Sequence, residues 1–274
     1  MYVSRNDRKI HVRSIGQGPT IVFTSGGPGV SGSLYEEQLR PLASRYKLVF
    51  WDYVGCGRSQ SSSRQFSLNE DLQDLKAVIS SIKEPVILMG HSYGGLLAIN
   101  CASEKSSIVK GLVLVNSMPS FSHAKKSMQK KMERLSQLNL EEEYFELGEK
   151  VFMGQASEAD VENFWSIESK LQVRDDHHAI DVSKKLQPSF AVVTGIQEDL
   201  AAIDYSQELK NLKIPILITA GTFDIIALDR PREMHAMLPL STIHEYKKSG
   251  HFPFLEENEL FISQTLQWLK NLSL

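Results

Sequence analysis

Two cysteines in 274 residues cannot form a disulfide framework of the kind that holds small secreted domains together. Cys56 falls in a loop and Cys101 on a helix, and both read as structural thiols. Long apolar runs are missing too. The first twenty residues, "MYVSRNDRKIHVRSIGQGPT", hold no uninterrupted apolar stretch of signal-peptide type. Nothing nears the eighteen or more apolar residues that a membrane span requires. Charge of one sign is absent as well: 30 Lys plus Arg against 33 Asp plus Glu leave a net charge of −3. That balance argues against nucleic acid or an anionic membrane as partner. The expectation is a cytoplasmic enzyme with reduced thiols, acting on a small molecule or short peptide. Oligomeric state leaves no mark in the sequence. The locally basic run "KKSMQKKMER" reads as the solvated face of a helix. There is no H-E-x-x-H motif and no Cys/His spacing of a metal site, so neither metal nor cofactor is expected.

What the chain does have is alternation. Short β-branched runs (Lys9 to Arg13, Thr20 to Thr24, Leu48 to Trp51, Val86 to Met89, Val109 to Val115, Ile214 to Gly221 and "STIHEYKK") are separated by helix-periodic segments. One of these, "SLNEDLQDLKAVISSIK", opens with Ser67 and has Glu70 three residues later, a capping-box signature. This order predicts an α/β fold: a mostly parallel central sheet with helices on both faces. Between residues 118 and 205 strand signals fade and helical ones take over, with Met128, Met132 and Leu135 at helical spacing. The expected organisation is a core of residues 1–117 and 206–274 with an inserted helical cap at 118–205. That insertion is either extra packing or a lid over the strand ends, where open α/β sheets keep their sites.

The chemistry starts at "VILMGHSYGGLLA", residues 86–98. A serine flanked by glycines two residues to either side, at a strand-to-helix junction, is the G-x-S-x-G pattern of a nucleophile elbow. Ser92 is the candidate nucleophile, and Gly90 and Gly94 lack the β-carbons that would collide across the turn. An N-capping serine is the plainer alternative. His91 is adjacent and reads as packing beneath the turn. Serine needs a base. His251, in "KKSGHFPFLEE" after the last strand, is the best placed of the eight histidines; His11, His123, His177, His178, His235 and His244 sit elsewhere. Asp224, just after Ile214 to Ala220, is the acid that would fix the imidazole tautomer, while Asp229 reads as a helix cap. An oxyanion hole needs two backbone N–H groups. Tyr93 supplies one, and the loop "TSGGPGVSG" the other, through Gly27 or, as the near alternative, Gly26.

With these residues in hand, the chain resembles the α/β-hydrolase superfamily over nearly its whole length. The likeness is nearest to the proline iminopeptidases of the tricorn-interacting aminopeptidase type. "SGGPG" is similar to that family's H-G-G-P-G, "DYVGCGRS" to its D-x-x-G-x-G-x-S and "GHSYGG" to its nucleophile segment. The resemblance implies the α/β-hydrolase fold, a Ser92–Asp224–His251 triad working through an acyl-enzyme, a helical cap, and release of N-terminal residues from short peptides. The departures concern the substrate. Ser25 replaces the family's histidine. Ile225, and less securely Ser189, stand where relatives of that type carry glutamates for the substrate's amine. Glu168, Glu198 and Asp199 are the acids of the insertion that could replace them. An isoleucine at 225 suits a carboxylesterase or lactonase pocket for small apolar esters. A non-catalytic ligand-binding protein of the same fold is the third reading, and a carbon–carbon bond hydrolase a minor one.

Overall fold

The computed structural model describes residues 1–62, 65–105, 107–120 and 124–272; His123 lies outside them. In chain order the first half runs β1 (Tyr2–Arg5), β2 (Arg8–Ile15), β3 (Thr20–Thr24), β4 (Val30–Gly32), α1 (Leu34–Leu39), β5 (Lys47–Trp51), α2 (Leu68–Ser81), β6 (Val86–His91), α3 (Tyr93–Glu104) and β7 (Val109–Val115). Then come α4 (Ala124–Leu138), α5 (Glu141–Phe152), α6 (Glu158–Gln172), α7 (Asp176–Lys185), β8 (Leu186–Pro188) and α8 (Phe190–Ala202). The chain returns through α9 (Ser206–Asn211), β9 (Ile216–Gly221), α10 (Asp229–Met237), β10 (Ser241–Tyr246), α11 (Pro253–Glu256) and α12 (Asn258–Lys270).

Eight strands form one sheet in the order β1-β2-β5-β3-β6-β7-β9-β10. The six from β5 to β10 run parallel, and β2 and β1 add antiparallel pairs at one edge. The central apolar runs, which form β3, β6, β7 and β9, are strands buried on both faces, the condition of a sheet covered by helices, whereas β10 at the edge is half-buried. In β6 the alternation is explicit. Val86 and Leu88 pack into one core with α2 and α3, and Ile87 and Met89 into the other with α1 and α12. A one-residue slip would exchange these two sets, so register is strongly fixed.

The helices α4 to α8 lie between β7 and β9 and carry their own small core, built on Leu135, Leu147, Phe164, Ile167 and Leu171. The two ends of this insertion meet at a bridge between Ser120 and Asp204, and Tyr205 N–H donates to Pro119 O at 2.8 Å. One strand hides inside it: β8 pairs antiparallel with β4, tying the insertion to the loop after β3. Among the described residues no helix is long and apolar enough to cross a membrane.

Three local readings change. Ser67 Oγ does accept from Glu70 N–H at 3.2 Å, but the Glu70 carboxylate turns away to Arg5 instead of closing a capping box. The backbone N–H of Leu68, the first helical residue, is met by Asp199 from α8, at 2.8 Å. The basic run on α4 is not a merely solvated face. Lys126 pairs with Asp229, Lys130 Nζ donates to Asp224 O at 2.6 Å, and Lys131 pairs with Glu168 at 2.6 Å. Asp229 is the first residue of α10 rather than its cap.

Candidate active site

β6 ends in a tight turn into α3. Ser92 sits at φ 52°, ψ −119°, a region costly to a residue with a side chain and held here by its surroundings. Its N–H donates to Val115 O at 2.9 Å, and its carbonyl accepts from Ser117 Oγ at 2.7 Å. A β-carbon on Gly90 would lie 2.4 Å from Gly94 O, and one on Gly94 would lie 2.2 Å from Thr24 O. The first glycine lets the turn close and the second lets α3 approach the end of β3. Serine is therefore lifted out of the strand while its backbone does the anchoring.

His251 and Asp224 come together at the neighbouring strand ends. His251 Nδ1 lies 2.9 Å from Asp224 Oδ1. The carboxylate is buried, yet both oxygens have donors: Ile226 N–H reaches Oδ1 at 3.0 Å, and Asn116 Nδ2 reaches Oδ2 at 2.7 Å. With Nδ1–H committed to the carboxylate, Nε2 is left as the basic nitrogen. Ser92 and His251 line the same two cavities, with no hydrogen bond between their side chains. Such bonds commonly tighten only around substrate.

Asn116 was not singled out by the sequence. It follows β7 with a φ of 46° and is buried, and its amide also donates to Gly250 O at 3.0 Å. One side chain thus fixes both the acid and the backbone beside the histidine. Glu256 does similar work from α11. Its two oxygens accept from Gly250 N–H at 2.8 Å and from Arg174 N–H at 2.7 Å, joining the histidine loop to the insertion. Burial pushes its carboxyl up to about 7.

The loop "SGGPG" faces Ser92 across the first cavity. Gly26 and Gly27 both line it, but they are not equivalent. Gly26 N–H is spent on Tyr35 Oη at 3.1 Å, whereas Gly27, at φ 125°, forms no such bond among the described residues. The Tyr35 hydroxyl lies 3.2 Å from His91 Nδ1, and His91 Nε2 lies 2.9 Å from His251 O. Burial, with the His251 imidazole nearby, holds His91 well below the usual histidine range, so it is neutral. Neutral His91 donates through Nε2 and accepts through Nδ1, making it a strut between two loops rather than passive packing. Ser25 closes the loop through Oγ to Val30 O at 3.0 Å.

Tyr93 opens α3 and is fully buried, its hydroxyl donating to Asp71 Oδ2 at 2.9 Å. Burial raises Asp71 from the ordinary carboxylate value to about 8. A raised folded pKa means that the folded chain keeps a proton the unfolded chain has lost between about pH 4 and pH 8. Stability from this group is present below that window and is lost as pH rises through it. Asp71→Asn keeps an acceptor for Tyr93 but cannot ionise. The difference in unfolding free energy between variant and wild type should shift in the variant's favour by about 4 kcal/mol from pH 5 to pH 9. Urea titrations at both pH values read it out; parallel curves would rule out the buried ionisation.

Two cavities flank Ser92. The first, about 280 Å³, is lined mainly by aromatic and aliphatic groups including Phe164, Trp165 and Phe190, and Glu168 is its one carboxylate among the described residues. The second, about 210 Å³, is bounded by Met118, Met128, Ile226 and Lys131. Ile225 borders both. Glu168 Oε1 is already engaged by Lys131 Nζ and by the Tyr144 hydroxyl, each at 2.6 Å. Glu198 is exposed on α8, Asp199 caps α2, and Ser189 is absent from both linings. Cys56 and Cys101 are buried, and burial pushes each thiol up to about 12, which leaves them unreactive.

The model of the alpha/beta hydrolase family matches residues 21–264. A proline iminopeptidase of Saccharolobus solfataricus is 24% identical over 265 residues, covering 90% of this chain and 83% of its own. A pimeloyl-acyl-carrier-protein methyl ester esterase of Vibrio vulnificus is 26% identical over 262 residues, covering 94% and 97%. Among solved structures, an esterase from Exiguobacterium antarcticum superposes with a TM-score of 0.78 at 21% identity, covering 98% of this chain and 99% of that one.

Proposed function

The chain belongs to the alpha/beta hydrolase family and is a hydrolase with both peptidase and esterase relatives; from that premise we propose that it cleaves small neutral carboxylic esters or lactones by serine catalysis. Ser92 Oγ attacks the carbonyl carbon while His251 Nε2 takes its proton. Asp224 holds the imidazole and stabilises the imidazolium. The carbonyl oxygen, now negative, is met by the N–H groups of Gly27 and Tyr93, and the positive end of α3 lies beneath it. His251 returns the proton to the departing alkoxide, leaving an acyl-serine. Water, deprotonated by the same imidazole, then displaces the acyl group as its acid and restores Ser92. Residues 118–205 act as the cap that roofs this chemistry over the core of 1–117 and 206–274.

One observation carries the choice of substrate. The carboxylate that borders the Ser92 cavity is already neutralised by Lys131, and Ile225 beside Asp224 is apolar. A substrate ammonium entering there would lose its water without gaining charge-assisted hydrogen bonds. The second reading, an iminopeptidase releasing N-terminal residues, is favoured by the relatives' identity and by the presence of Glu168 at the cavity. Comparing alanyl and prolyl p-nitroanilide with propionyl p-nitroanilide, beside p-nitrophenyl butyrate, separates them. The propionyl compound lacks only the amino group of the alanyl one. Turnover of the butyrate ester, with no gain from the amino group, is expected. An amino-group advantage of about tenfold or more would instead establish the peptidase.

A further inference from the structure

Lys131 and Glu168 stand on α4 and α6 at the partition between the two cavities, and each lines a different one. Their side chains are 18% and 15% exposed, so the pair is largely withdrawn from water. Lys131 Nζ sits 2.6 Å from Glu168 Oε1 and 4.8 Å from the centroid of the Tyr144 ring. The same carboxylate oxygen accepts from the Tyr144 hydroxyl. An ammonium on a carboxylate, backed by an aromatic face, is the arrangement a protein uses to bind an amine. Here the amine belongs to the chain.

We infer that Lys131 is a built-in occupant of an amine site, and that its pairing with Glu168 is the determinant excluding cationic substrates from the space around Ser92. In the first cavity an incoming ammonium finds its one carboxylate already filled. In the second it meets the Lys131 ammonium itself, a like charge in an enclosure whose other walls are chiefly apolar. Displacing Lys131 would strand a partly buried charge, which costs more than an exposed pair. Neutral substrates meet neither obstacle. Removing the lysine charge while keeping its stem leaves Glu168 held by Tyr144 and open to an external amine.

The inference builds on the ester reading, and its test has a readout that does not depend on it. Benzyl esters of butyrate, 2-aminobutyrate and 4-aminobutyrate are compared on wild type, K131M, K131Q and K131M/E168Q. The ratio of kcat/KM for at least one amino ester to that for butyrate should rise about 10- to 100-fold in K131M and K131Q. It should fall back in K131M/E168Q. Independently, butylammonium chloride should raise the Tm of K131M and K131Q above a sodium chloride control, and leave wild type and K131M/E168Q where that control does. If no ester is cleaved by wild type, the ester reading fails while the thermal shift still tests the amine site. Unchanged ratios together with no butylammonium-specific shift in either single variant would overturn the inference. So would a wild type that already prefers an amino ester.

Discussion

Ser92→Ala is expected to lower kcat on p-nitrophenyl butyrate by about 10⁵- to 10⁶-fold while leaving the fold intact. The magnitude follows from what the other groups can do without it. His251 and the two backbone donors would still face the ester, but water would have to replace an oriented hydroxyl. The positioning advantage of a bound nucleophile would be gone. The structural cost should be small because the elbow is anchored through the backbone of residue 92, by Val115 O and Ser117 Oγ, rather than through the serine hydroxyl. Alanine adopts the φ of 52° about as poorly as serine, so that strain is common to both proteins. Stability should therefore stay within about 0.5 kcal/mol. A fluorophosphonate probe should label the wild type and not the variant. An alanine variant that kept more than about one hundredth of the wild-type rate would remove Ser92 from the mechanism, since loss of a nucleophile is never that mild.

The elements that sequence reading found are those whose signal is local. The strand at 86–91 is announced by a buried apolar run, the elbow by glycines two residues to either side of Ser92, and the alternation of strands and helices by composition alone. Asp224 and His251 are 27 residues apart, yet their positions after successive strands were enough to pair them. What stayed hidden is carried by contacts between distant segments. β8 is three residues long, and it is a strand only because β4 lies beside it. Asn116 carries no motif; it matters because Gly250 and Asp224 converge on it from other loops. Helical spacing grouped the lysines of α4 but could not show that Asp224, Asp229 and Glu168 would meet them. In the same way a capping-box pattern locates a helix start without saying that two arginines will compete for its glutamate.

The contacts of Asn116 make Asp224 the more revealing member of the proposed triad to change. Asp224→Asn should cost about 10⁴-fold in kcat. Both carboxylate oxygens face N–H donors, Ile226 N–H and Asn116 Nδ2, so the new amide nitrogen must oppose one of them whichever way it turns. Turned toward His251, it would donate to Nδ1 and move the imidazole proton to Nε2, where it blocks attack. Turned toward Asn116, it would set two NH₂ groups against each other and leave the imidazolium without its counter-charge. Asn116 cannot relieve the clash by flipping, because its amide also donates to Gly250 O. Adding Asn116→Asp removes the conflict: the carboxylate introduced at position 116 accepts from the amide introduced at position 224, whose carbonyl then faces His251 Nδ1–H. That restores the tautomer and leaves a negative charge one hydrogen bond farther away. The double variant should thus regain about tenfold or more of the lost kcat, despite the forfeited bond to Gly250. Recovery of more than about a hundredfold on p-nitrophenyl butyrate would make tautomer control the larger part of what Asp224 does. No recovery in a folded double variant would assign that part to its charge at the ring.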